Sequence, residues 1–197
     1  MYRDYQPLSH RPLAAGAHFQ NPSYPRGRVR LDSPALEVMT DFRQVAAATI
    51  DPDAPLDAAN RFMIRRGVRL LLVTDDQREI LGLITATDIL GERPVKFAID
   101  RGVKRQDIVV RDIMTPRERL EVLWYADVAT AEVGHIVATL KAVGRQHALV
   151  AESAEGVSGV LVRGVFSLSQ IARQLGIQLA WTEVARTFGE IEAALGR

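Results

Sequence analysis

Gly82-Leu83-Ile84-Thr85-Ala86-Thr87-Asp88-Ile89 is answered 82 residues later by Gly164-Val165-Phe166-Ser167-Leu168-Ser169-Gln170-Ile171. Each stretch runs glycine, two apolar residues, then a hydroxyl residue that ends a strand and opens a helix. Working outward, residues 80–85 and 160–166 read as apolar strands, and residues 85–90 and 167–175 as the helices that follow. Upstream lie two more apolar strands, 70–73 and 148–150. Each is preceded by a glycine, Gly67 or Gly144, placed where a left-handed helix C-cap is expected. The glycines close helices predicted over the residues carrying Leu56, Ala59 and Met63 on one face, and over 131–143. The two offsets, 77 and 82, differ by five residues, which fit in the longer polar turn 152–159 of the second copy.

Punctuation completes the pattern. Residues 47–50 read as a short first strand, broken by Asp51, Pro52 and Asp53. Asp53 is placed as the N-cap of the first helix, and Gly91 with Pro94 as the end of the second. A shared marker leads each copy: Val38-Met39-Thr40 and Ile113-Met114-Thr115-Pro116. A duplication of this kind predicts two related units, each too small to bury its own apolar face, packed on each other with pseudo-twofold symmetry. The fold class is therefore α/β, with two β-α-β-β-α units. The divisions expected are an arm (1–33), a first unit with linker (34–109), a second unit (110–176) and a terminal helix (177–197).

Composition narrows the function. The 197 residues carry 25 Lys+Arg against 24 Asp+Glu, which argues against a globally basic nucleic-acid binder. With no cysteine, disulfides, thiol catalysis and Cys-held metals are excluded, and a cytoplasmic location is the expectation. No apolar run approaches the ~20 residues needed to span a bilayer. His10, His18, His135 and His147 show no metal-ligand spacing, so no metal is expected. No nucleophile–base pair or glycine-rich phosphate loop is present, and no enzyme activity is expected.

The first 34 residues hold five of the nine prolines and five arginines, Arg3, Arg11, Arg26, Arg28 and Arg30. They read as an extended or disordered arm. The other reading is a tether for an anionic partner such as single-stranded nucleic acid. Beyond residue 176, Trp181, Val184, Phe188, Ile191 and Leu195 form one face of an amphipathic helix, suited to its own core or to a dimer contact.

The paired motifs, in phase with their glycines and Met-Thr markers, resemble a tandem pair of CBS (cystathionine β-synthase) domains, a Bateman module, from about Pro34 to Gly176. The resemblance implies units packed through their sheets and a non-catalytic, regulatory role. It implies an adenine nucleoside or nucleotide (AMP, ADP, ATP) or S-adenosylmethionine as regulatory ligand, a homodimer, and a regulated protein of unknown identity. The other reading is a structural or interaction module whose ligand sites have degenerated.

The residues bear on both readings. Thr85 stands at a helix start, where unpaired N–H groups favour an anion. Its hydroxyl and that of Thr87 offer further donors, and ionised Asp88 matches a ribose diol. The same residues are also good helix caps. By the resemblance, adenine would lie between Thr49 and Ile50 on one strand and Arg69, Leu70 and Leu71 on the other. The family's proline in that strand is replaced by Leu72 and by Leu149. The second site, expected to be weaker, altered or vacant, comprises Asp127, Val128, Gln146, His147, Ala148, Arg163, Ser167, Ser169 and Gln170. There Gln170 stands where the acid would be, and Arg163 and Arg145 are candidates to reach phosphates of the opposite copy.

Overall fold

The computed structural model describes residues 29–153 and 159–177. The expectations for the arm before residue 29 and for the helix beyond residue 177 lie outside the described residues. Two four-stranded sheets form the centre. The first contains β2 (Thr49–Ile50), β3 (Leu70–Thr74), β4 (Ile80–Thr85) and β5 (Thr115–Pro116), in that spatial order. The second is ordered β1 (Thr40–Asp41), β8 (Val160–Ser167), β7 (His147–Ser153) and β6 (Val122–Trp124). In each, a short strand runs parallel to one arm of a hairpin: β2 along β3, and β6 along β7. The α/β duplication expected from the sequence is thus present in space.

Strand periodicity explains the layers, because alternate side chains point to opposite faces. Leu70 and Leu72 meet Leu149, with Leu83, Val122, Val162 and Val165, between the two sheets. Leu71, Val73 and Ile84 turn outward onto α1 (Leu56–Arg66), α2 (Ala86–Leu90), α3 (Arg93–Arg101) and α4 (Val110–Ile113). Val150 and Phe166 turn the other way onto α5 (Tyr125–Thr130), α6 (Val133–Ala142) and α7 (Leu168–Gln174). The units therefore pack through their sheets, with helices outside. Gly67 and Gly144 take left-handed backbone at φ 64° and 62° where α1 and α6 end.

The leading markers cross over. Thr40-Asp41 pairs with Val165-Gly164 of the second sheet, and Thr115-Pro116 with Leu83-Gly82 of the first. Each glycine of the paired motif lies beneath the marker of the other copy. A Cβ on Gly82 would sit 2.5 Å from the Thr115 carbonyl oxygen and 3.0 Å from Met114 Sδ. On Gly164 it would sit 2.5 Å from the Thr40 carbonyl oxygen and 3.2 Å from Met39 Sδ. The cores follow the crossing: Ala35 and Val38 are buried with the second unit's helices, and Val110 and Ile113 with the first's.

Four local expectations are corrected. Asp53 does not cap α1. The helix starts at Leu56, whose N–H donates to the Ile108 carbonyl, while the Asp53 N–H turns back to the Asp51 carboxylate. Pro94 does not close a helix but sits in the first turn of α3, where its missing N–H has no intrahelical partner to lose. Glu152 and Ser153 belong to β7 rather than to the turn, because they pair with Leu161 and Val160. Finally, the second counterpart of Thr49-Ile50 is Val122-Leu123, not Asp127-Val128. Thr49 lies against Leu72 and Val122 against Leu149, equivalent positions 77 apart. The strand-to-glycine span is four residues longer in the second copy, and the chain uses the excess to wind α5, which holds Asp127 and Val128.

Candidate functional site

The β4–α2 junction places Thr85 as the N-cap of α2 and closes a capping box. The Asp88 N–H donates to Thr85 Oγ1 (3.2 Å). The Thr85 N–H and hydroxyl both donate to Asp88 Oδ2, at 2.9 and 2.7 Å. The Ala86 N–H donates to the Arg69 carbonyl at 2.9 Å. The helix-start donors that the sequence offered to an anion are thus largely engaged within the protein. The other Asp88 oxygen, Oδ1, accepts from Arg93 Nη1 at 2.7 Å.

This junction forms one wall of a cleft of about 410 Å³ that spans both copies. Thr85, Thr87, Asp88 and Arg93 face Arg145, Gln146 and His147 from the start of β7. Arg119, Leu120 and Glu121, on the chain between β5 and β6, line it too, with Leu83 and Leu149 of the inter-sheet layer. Arg145 is ion-paired with Glu121 at 3.2 Å, both well exposed. Burial, with a smaller contribution from the Arg69 charge, holds the His147 imidazole down at about 4. At neutral pH it is uncharged, one nitrogen a donor and the other an acceptor. The cleft thus joins three residues expected at the first site with two expected at the second.

The remaining residues fall elsewhere. Thr49, Ile50, Arg69, Leu70 and Leu71 are not part of the cleft lining. Leu70 and Leu71 are buried in the apolar layers on either side of β3. The Leu72 N–H donates to the Ala48 carbonyl at 3.0 Å, a bond that a proline could not make. Asp127 and Val128 line a separate depression of about 340 Å³ with His135 and Thr139 of α6. Ser167 and Ser169 lie hydroxyl to hydroxyl at 3.1 Å, and Gln170 Oε1 accepts from the Thr40 hydroxyl at 3.2 Å. Ala148, half-buried, pairs with Phe166.

Arg163 is not available to a phosphate. It sits at a register shift in β8 and is held by Asp41 through two bonds of 2.8 Å and by Glu152 at 3.1 Å. Its guanidinium also lies 4.7 Å from the centre of the Tyr125 ring.

The family model for the CBS domain matches residues 34–94. Among solved structures, an uncharacterized conserved protein from Pyrococcus horikoshii aligns at 22% identity and TM-score 0.54, over 78% of this chain and all of that one. A CBS-domain containing protein from Agrobacterium tumefaciens aligns at 15% identity and TM-score 0.51, over 78% of this chain and 98% of that one. Residues 34–94 match a CBS domain, and the fold around them is shared with these structures. CBSX2, solved in complex with AMP, is also matched at 19% identity and TM-score 0.49, over 72% of this chain and 94% of that one. No curated protein is matched by sequence.

The matched CBS domain ends at Pro94, and sequence reasoning missed its most informative side chain, Arg93. Arg93 stands five residues after Asp88, beyond the reach of an i,i+4 pair and across Gly91. No spacing rule pointed to it. The break at Gly91 and Glu92 between α2 and α3 lets the guanidinium meet the carboxylate. Among the described residues, no group of three or more acidic or histidine side chains could hold a metal ion, and no helix is long and apolar enough to cross a membrane.

Proposed function

We propose that this protein is a regulatory sensor whose cleft takes an adenine nucleotide. Occupancy would shift how the two halves, or two copies of the chain, pack together. The observation that carries this reading is the composition of the cleft. One wall comes from the β4–α2 junction of the first unit and the other from the β7 start of the second. An occupant touching both is bound more tightly in one packing than another, and that differential affinity is what moves an equilibrium. Two guanidinium groups, from Arg119 and Arg145, suit a phosphate. Asp88 suits a ribose diol, and the neutral His147 with Gln146 suits the edge of a base.

A second reading is an interaction module without a ligand. It is favoured by the completeness of the Thr85–Asp88 capping box and by the mutual pairing of Ser167 and Ser169. Titration calorimetry with AMP, ADP, ATP and S-adenosylmethionine separates the two. Binding of any of them, weakened roughly ten- to hundredfold by Asp88→Ala, supports the sensor, since a hydrogen bond to a charged group is worth ~1.5–3 kcal/mol. Absence of heat with all four, and no rise in melting temperature at millimolar ligand, favours the interaction module.

A further inference from the structure

We infer that Arg93 is a latch: it competes with the occupant of the cleft for the Asp88 carboxylate and ties that carboxylate to the start of the second half of the chain. This rests on the ligand reading above, which supplies the competitor.

The geometry is specific. Asp88 Oδ2 is already taken up by the Thr85 N–H and hydroxyl. Oδ1, the oxygen left for an occupant, accepts from Arg93 Nη1 at 2.7 Å. The same nitrogen donates to the Ile113 carbonyl at 3.2 Å. Ile113 is the last residue of α4, and Met114, Thr115 and Pro116 follow it directly to lie over Gly82. The chain then runs to Arg119, Leu120 and Glu121, which line the cleft. One guanidinium nitrogen therefore joins the cleft carboxylate to the chain that leads to the facing wall.

An occupant that hydrogen-bonds Asp88 Oδ1 must share that oxygen with Arg93 or displace it. Displacement also loosens the Ile113 carbonyl and leaves α3 held by its packed residues, Phe97 and Ala98, while the segment after it stays tied to α2 by Arg105, which donates to the Ile89 carbonyl. The Arg93 side chain is about half exposed, at 51%. The Asp88 side chain is 15% exposed, so only the guanidinium side of the bridge is open, and it can turn to solvent when a ligand takes Oδ1. The alternative role, a fixed anchor for an anionic group, predicts the opposite sign when Arg93 is removed.

The test is titration calorimetry with AMP and with ATP on the wild type, Arg93→Met and Arg93→Lys, beside hydrogen exchange over residues 93–101 and 110–116. A latch predicts that Arg93→Met binds about twofold to fivefold tighter than wild type, the range an exposed pair contributes. It predicts an intermediate value for Arg93→Lys. It also predicts that nucleotide raises exchange in the first turn of α3 and in α4 of the wild type, and that this rise is lost in Arg93→Met. Equal or weaker binding by Arg93→Met, with melting temperature unchanged, overturns the latch while the ligand reading stands. No heat in the wild type and both variants is the separate failure of the ligand reading, and the latch falls with it.

Discussion

The two sheets solve the same packing problem differently, and the difference can be measured. In the second sheet, Asp41 of the crossing strand grips Arg163 at the register shift of β8. In the first sheet the equivalent shift leaves Leu81 out of register, and Pro116 takes the place of Asp41. The side chains of Arg163 and Asp41 are 10% and 13% exposed and meet through two bonds of 2.8 Å. Removing one member strands the other in a poorly solvated place. Full burial would make that cost ~3–5 kcal/mol, and the residual exposure lowers it to about 2–3 kcal/mol. Arg163→Met leaves both Asp41 and Glu152 without this guanidinium, so it is expected at the top of the range. Asp41→Pro with Arg163→Leu copies the apolar solution of the first sheet and is expected to recover at least half of the loss. Urea unfolding followed by circular dichroism gives each value. The reasoning fails if Arg163→Met costs under ~0.5 kcal/mol, or if the double variant is merely the sum of the singles.

Other expectations follow from the same contacts. The hydrogen bond from Arg163 draws the Asp41 carboxyl from 3.8 to about 2, so its contribution is present above pH 3.8 and is lost as pH falls toward 2. Acid unfolding of wild type against Asp41→Asn should differ by ~1–2 kcal/mol, after solvent screening, and the gap should close below pH 2. His147, held near 4 against an ordinary 6.5, makes the fold less stable as pH falls through that interval. Replacing it with Gln should flatten the slope between those values in pH-dependent melts. Gly82→Ala and Gly164→Ala force a methyl against a backbone carbonyl 2.5 Å away and should each cost ~1–3 kcal/mol by the same urea assay. Thr85→Ala removes the cap of α2, with an expected loss of ~1 kcal/mol and faster hydrogen exchange at Asp88.

Much of the fold was legible because its signals are local. The apolar runs, the glycines at 67 and 144 and the capping threonine each act on their own neighbours in sequence. The pairing of the Met-Thr markers was not legible, because nothing near Met39 states that its strand will lie on a glycine more than a hundred residues away. Asp127 and Val128 fall off the strand because the stretch 121–130 is longer than its counterpart and its extra residues wind a helix. Pro94 was misread because proline suits the residue after a helix and the first turn of one equally well. At the cleft, Thr85, Thr87 and Asp88 were found through a motif confined to one strand–helix junction. Their association with Gln146 and His147 depends on how two sheets stack, which no single motif encodes.

That crossing bears on what the protein can do as a machine. The first sheet takes its edge strand from Thr115-Pro116, and its helical core takes Val110 and Ile113. The second takes its edge strand from Thr40-Asp41, and its core takes Ala35 and Val38. A fragment cut between residues 109 and 110 leaves each half without a strand and with buried positions unfilled. Each absent residue forfeits ~1.5–3 kcal/mol of burial, so the loss is comparable with the whole stability of a small domain. Separately expressed halves should therefore be unfolded alone and regain circular dichroism and a cooperative melt when mixed. Two halves that each fold unaided would show that the exchanged strands are accessory. If they fold only together, any contact that draws the cleft walls closer acts on one cooperative unit, and strain at Asp88 reaches β5 and the facing wall without crossing a flexible linker.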